Sequence, residues 1–126
     1  NGHSSTVGSA MTAQLANQKS LSASVNSSTE IVSLTLPVGR WLVFGYVVFG
    51  GTSGSARRVA TISDTSGAYS AFIRNDTQTN TTETTTLEVS GIVNPTGSQT
   101  FYLNAASSVA CTVQAQASYL YAIRIL

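Results

Sequence analysis

The sequence predicts an all-β protein, an antiparallel sandwich of eight to nine short strands wound as a jelly roll. Three observations predict it. Apolar residues recur at every second position through most of the chain; Gly, Pro, Asn and Asp cluster between those runs; and no segment sustains the spacing of an amphipathic helix. Two packed sheets are the economical way to bury one face of that many short strands, and the jelly roll is a common winding at this strand number.

Residues 1–19 are small and polar, with only a weak helical spacing of Met11 and Leu15, and read as an extended or flexible lead-in from a preceding part of the polypeptide. The chain opens on Asn1-Gly2-His3 without an initiator Met or a charged-then-apolar leader, and so reads as a piece of something longer. The folded domain is expected over residues 20–126. Leu21, Ala23 and Val25 alternate with serines, Asn26-Ser27-Ser28 marks a turn, and Ile31–Leu36 forms a second run. Pro37-Val38-Gly39 then turns the chain into its strongest strand, Arg40–Phe49, because Pro cannot donate to a ladder and Gly tolerates positive φ. A Gly/Ser loop over 50–55 leads to a strand over Arg57–Ser63, closed by Asp64-Thr65-Ser66-Gly67. Tyr69–Arg74 reads as a strand, the Thr-rich 75–85 as an exposed loop, and Thr86–Val93 as a strand ending at Asn94-Pro95-Thr96-Gly97. Thr100–Asn104 is the next strand and Ala105–Ser108 a small-residue turn. Val109–Leu126 has no Gly, Pro or Asn, yet fully extended it would reach ~60 Å, so it must bend, and the bend is expected near 116–118.

Two strands fail to alternate. Arg40–Phe49 carries Trp41, Val43, Gly45, Val47 and Phe49 on one face and Leu42, Phe44, Tyr46 and Val48 on the other. The closing strand places Tyr119, Tyr121, Ile123 and Ile125 opposite Leu120, Ala122 and Leu126, with Arg124 its lone charge. A two-layer sandwich buries one face of a strand, so an apolar second face needs another cover. If these strands are neighbours, that face is a patch of several hundred Å², which a monomer rarely leaves bare. Self-association is the expected cover, with loops or the N-terminal segment of the same chain as the alternative. Parity leaves open which face of 41–49 is core and which is interface.

Composition narrows the partners. The 126 residues suit one domain, and only 9% are charged, against roughly a quarter in a typical chain. A net charge of +1, without basic clusters beyond Arg57-Arg58, argues against nucleic acid or an anionic membrane. No stretch approaches the ~20 apolar residues of a membrane-spanning helix. The single cysteine, Cys111, cannot form an intrachain disulfide and is expected to be a buried, inert thiol. His3 is the lone histidine, so a Ser-His-Asp site or a zinc site has no material. The five carboxylates are spread over different segments, which disfavours a glycosidase pair, and Asp64 and Asp76 read as turn formers rather than calcium ligands. No enzyme, metal or cofactor is expected.

Ser33-Leu34-Thr35-Leu36-Pro37-Val38-Gly39-Arg40-Trp41-Leu42-Val43 resembles the lead into the third long strand of C1q and tumour-necrosis-factor-like jelly rolls. Gly97–Ala105 resembles a later strand of that fold, and Tyr119–Leu126 its closing strand. The same trio, with Ser/Thr-rich filler, resembles the C-terminal tip domains of bacteriophage tail fibres and receptor-binding proteins. The resemblance spans roughly residues 20–126. It implies a homotrimer at the distal end of a virion's tail fibre, attaching to a host-surface glycan or protein. It also implies that the first, third and last long strands face the threefold axis, with Trp41, Leu42, Phe44, Tyr46, Val48, Leu120, Ala122, Arg124 and Leu126 at the interface or in the core. The scarce charge, and the lack of a calcium-binding acidic cluster, depart from vertebrate C1q-like domains.

For receptor binding, the candidate residues are Tyr69, Arg74, Asn75, Asp76, Arg57 and Arg58, because saccharides present C–H patches beside hydroxyl pairs and suit an aromatic ring flanked by planar polar groups. The plainer reading makes Tyr69 a core-edge aromatic and Arg74 a strand-end solubiliser. Two alternatives share the fold: a trimerisation or capping module that registers a fibrous stalk, and a C1q-like or spore-surface adhesive domain that is secreted or displayed on a cell surface.

Overall fold

The computed structural model describes residues 6–24, 27–52, 54–69, 71, 73–80 and 82–126. His3, and Val25 and Asn26 of the expected first strand and turn, lie outside them. Among the described residues ten strands form two sheets: β1 (Ala10–Gln14), β2 (Lys19–Leu21), β3 (Thr29–Leu36), β4 (Trp41–Phe49), β5 (Ser55–Ser63), β6 (Ile73–Asn80), β7 (Thr85–Val93), β8 (Gln99–Ser107), β9 (Cys111–Val113) and β10 (Tyr119–Arg124). One sheet runs β1-β10-β4-β9-β2 with β7 on the other edge of β4, and the second runs β3-β8-β5-β6. Every strand pairing is antiparallel. Between β3 and β8 only β5 and β6 pair as consecutive neighbours; the other connections cross between sheets, which is the jelly-roll winding.

Strand β4 organises the core. Its Trp41, Val43, Val47 and Phe49 side chains are almost wholly buried, at 0–1% exposure, and meet Leu36, Leu103, Leu120 and Ala122. Full burial of a Val or Phe side chain stabilises by roughly 1.5–3 kcal/mol, so this one face carries a large share of the fold's apolar gain. Gly45 sits mid-strand because the sheets approach too closely for more: a Cβ there would lie 2.6 Å from the Leu103 side chain. Parity is thereby settled. The Trp41 face is core, with Leu120 and Ala122 of β10, while Leu42, Phe44, Tyr46 and Val48 point outward and are half-buried. Arg124 shares the parity of Leu120 and Ala122 but closes the end of the core, its guanidinium 5.9 Å from the Trp41 ring and its Nη1 donating to the Val38 carbonyl at 2.6 Å. Leu126 lies outside this core. Strand β10 ends at Arg124, the last two residues bond back to Arg40, and Leu126 is left 69% exposed.

Several segments differ from the sequence reading. Ala10–Gln14, placed in the lead-in, is an edge strand on β10, and Leu15 joins the core. Met11, Ala13 and Leu15 repeat at period two, a pattern masked by the small polar residues around them. The Thr-rich 75–80, read as loop, belongs to β6; an edge strand paired only to β5 needs β-branched residues more than apolar ones. The strand expected at Tyr69 begins at Ile73, with Ser70 and Phe72 outside the described residues. Ala105–Ser107, read as a turn, extends β8 into a buried strand end. The bend near residue 116 is present: Gln116 takes φ +66° and donates its N–H to the Leu15 carbonyl at 2.7 Å. Cys111 is half-buried rather than buried.

After β5 the chain folds back across the outer face of the four-stranded sheet. Asn104, fully buried in mid-β8, fastens it: its Oδ1 accepts the Gly67 N–H at 2.8 Å and its Nδ2 donates to the Thr65 carbonyl at 3.3 Å. Thr61 donates to the Ala68 carbonyl at 2.7 Å, and Ser66 to Glu30 at 2.6 Å. Gly67 makes the turn with φ +74°. Removing Asn104 strands buried partners, so Asn104→Ala is expected to destabilise the fold by about 1–3 kcal/mol and to speed hydrogen exchange at the Gly67 amide. Unchanged exchange at Gly67 would contradict this fastening role.

Candidate functional site

The two outer faces of the sandwich carry opposite chemistry. On the six-stranded sheet, β10 and β4 pair Tyr121 with Phe44, Tyr119 with Tyr46 and Ile123 with Leu42, so both doubly apolar strands share one outer face. Phe44 and Tyr121 meet edge to face with centroids 4.8 Å apart, and Tyr46 stacks on Tyr119 at 4.9 Å. Beside this ridge, between β4 and β7, lies a hollow of about 290 Å³ lined by Leu42, Phe44, Tyr46, Glu88 and Ser90. The neighbouring Glu88 carboxylate, more than burial, pushes the Tyr46 hydroxyl pKa up to about 12. Glu88 and Ser90 were not anticipated from sequence; they read there as the solvent face of an ordinary alternating strand.

The opposite face gathers four of the six candidate binding residues. Arg57 of β5 and Arg74 and Asp76 of β6 project to the same side, because the register sets Val59 against Asp76 and Thr61 against Arg74. Arg57 Nε donates to both Asp76 oxygens at 2.9 and 3.1 Å, and its Nη2 also reaches Oδ2. Arg74 Nη2 donates to the same Oδ2 at 3.2 Å. The Arg74 guanidinium lies 4.9 Å from the ring centre of Tyr69, which the folded-back segment presents. The Tyr69 hydroxyl is turned inward, buried and without a hydrogen-bond partner among the described residues.

The other two candidates lie elsewhere. Arg58 sits on the core side of β5 with no exposed surface, its guanidinium 4.9 Å from the Phe49 ring and its Nη2 donating to the Gly50 carbonyl at 3.0 Å. Desolvation lowers its pKa. Alternation of adjacent residues to opposite faces makes this unavoidable once Arg57 points out. Asn75 also faces away from the cluster, its Nδ2 bonded to the Glu88 carbonyl at 2.7 Å, which ties β6 to β7. An apolar groove of about 440 Å³ opens near these edge strands, lined by Ile62, Ile73, Ile92, Val93 and Phe101 with Asp64 among its polar groups. Among the described residues, no three His, Cys, Asp or Glu side chains come together as a metal site would require.

Arg57 holds the Asp76 carboxyl below its usual range, chiefly by hydrogen bonding and then by charge, and Arg74 adds to this. A carboxyl with a depressed folded value binds fewer protons when folded, so its contribution is complete above the ordinary value of about 3.9 and fades as pH falls through the folded value. Carbon-13 titration of the Asp76 carboxyl is expected to give a midpoint below that ordinary value, moving back up in Arg57→Gln. A midpoint at or above it in the unaltered protein would contradict the clamp.

No protein-family model matches the sequence, and no curated protein matches it either. Solved structures do. The chain is similar to one from infectious bursal virus-derived T=1 particles, with TM-score 0.59 and 14% identity over 91% of this chain and 31% of that one. It is similar to a chain of the infectious bursal disease virus Gx strain, with TM-score 0.57 and 12% identity over 91% and 33%. Murine APRIL matches with TM-score 0.50 and 7% identity, over 86% of this chain and 100% of that one. The chain thus spans about a third of the length of the viral chains it matches. At these identities the likeness concerns fold alone, and the shared fold is a jelly roll.

Proposed function

We propose that this chain is a non-catalytic attachment domain, the homotrimeric tip of a phage tail fibre at the distal end of the virion, which binds a host-surface glycan. One observation carries the reading: the sandwich has an aromatic outer face suited to another subunit and, on its opposite side, an ordered aromatic-and-arginine cluster suited to a ligand. The first face is lopsided, with a ridge over β10 and β4 and a hollow beside β7. A lopsided patch favours head-to-tail contact, ridge into hollow, which closes into a ring where the rotation between subunits closes and otherwise runs on as an open filament. The ring size of three, and the phage origin, rest on the resemblance of the 33–43 and 119–126 segments to fibre-tip domains.

In such a ring the four-stranded sheet faces outward, so each subunit presents its Tyr69–Arg74 cluster to the surroundings. Weak single sites would then act together, since linked sites raise avidity by about 10²–10⁴ when geometry allows simultaneous engagement. Labelled protein applied to a panel of bacterial cells is expected to decorate a subset of them. Arg74→Gln should abolish that labelling without altering assembly, and Phe44→Glu should weaken it at least tenfold by breaking assembly. An intact assembly that decorates no bacterium would overturn the attachment reading in favour of a capping module.

A further inference from the structure

The Arg57–Asp76–Arg74 cluster also indicates what kind of glycan would be bound, an inference that rests on the attachment reading above. Three of the chain's 11 charged residues meet here, two positive and one negative. In a chain this poor in charge, such a concentration is not the scatter that solubility requires. Asp76 uses both oxygens on the arginines: Oδ1 accepts from Arg57, and Oδ2 accepts from Arg57 and Arg74. The cluster therefore has little acceptor capacity left to offer a sugar hydroxyl. Its guanidinium groups, by contrast, have N–H donors to spare, because Arg57 directs only Nε and Nη2, and Arg74 only Nη2, at Asp76. Tyr69 adds a ring face but no donor, because its hydroxyl is buried.

The surface that Arg57, Asp76 and Arg74 leave for a ligand is net positive and richer in donors than in acceptors, with the amide of the exposed Gln78 beside Arg57. Neutral sugars, whose hydroxyls both give and take hydrogen bonds, are a poor match to it. A planar or tetrahedral oxyanion is a good one, since arginine binds carboxylate and phosphate in paired bonds. The arginines are also held in advance. Asp76 fixes both and the Tyr69 ring supports Arg74, which reduces the side-chain freedom lost on binding. We propose that the cluster binds an acidic saccharide through its oxyanion, with the sugar's C–H face packing beside Tyr69 and Arg74.

The test is a surface of immobilised oligosaccharides in matched pairs: uronate- and sialate-containing chains beside their carboxyl-reduced counterparts, and phosphorylated chains beside their dephosphorylated ones. The assembled 126-residue chain is applied at low and at 0.5 M salt. Binding to acidic members is expected to fall at least tenfold in the neutral partner, at least tenfold in Arg74→Gln and in Arg57→Gln, and severalfold at high salt. The carboxylate and phosphate pairs distinguish the two sources of oxyanion. Circular dichroism and assembly mass of each variant guard against misfolding, and Arg74→Lys, which keeps charge but loses the paired geometry, should bind more weakly than the unaltered protein. Equal binding to both members of every pair overturns the oxyanion inference while leaving glycan attachment standing. Binding to no saccharide by an intact assembly that still decorates cells overturns both and points to a protein receptor.

Discussion

A single strand that is apolar on both faces sets the terms for this molecule. Inward, β4 supplies Trp41, Val43, Val47 and Phe49 to the core, and Gly45 lets the opposing sheet close onto Leu103. Outward, Leu42, Phe44 and Tyr46 join Tyr119, Tyr121 and Ile123 of β10 in an aromatic face with no covering element among the described residues. The near absence of charge on these strands follows from the same demand, because a charge on either face would have to be desolvated. Arg124 shows how one is accommodated, at the strand end, over the Trp41 ring and bonded to a backbone carbonyl.

The second sheet solves the complementary problem of holding a polar surface still. A buried asparagine, through three hydrogen bonds of its own and with the bond from Thr61 to the Ala68 carbonyl beside it, pins the segment after β5 onto the sheet and thereby brings Tyr69 beside Arg74. Loops carry binding residues well only when a rigid scaffold positions them. Here the scaffold is the β5–β6 ladder, which places Arg57, Arg74 and Asp76 on one side, and the fastening residue is Asn104, deep in β8.

Much of this was legible in the sequence, and the reasons for the remainder are specific. Period-two alternation located β3, β5 and β7, and apolar runs that fail to alternate marked β4 and β10, the two strands that share the aromatic face. Parity could not choose between the faces of β4; the choice depends on Trp41, whose indole N–H reaches the Pro37 carbonyl at 3.1 Å from the core side. Strand β6 was hidden because threonines at an edge look like a loop, and β1 because small residues dilute its period. The cluster of Tyr69, Arg57, Arg74 and Asp76 was found by residue type, whereas Arg58 and Asn75 were misplaced because neighbours in sequence take opposite faces. Asn104 carried a faint signal, an amide in the middle of an apolar strand, whose meaning depended on a segment some 37 residues away in the chain.

The account turns on the aromatic outer face being a contact between copies. Sedimentation equilibrium of the chain at micromolar concentration tests that most directly. The expected result is a single species of about 39 kDa, three times the 13.1 kDa chain, which Phe44→Glu converts to a folded monomer. A clean 13.1 kDa species for the unaltered protein under the same conditions would contradict it.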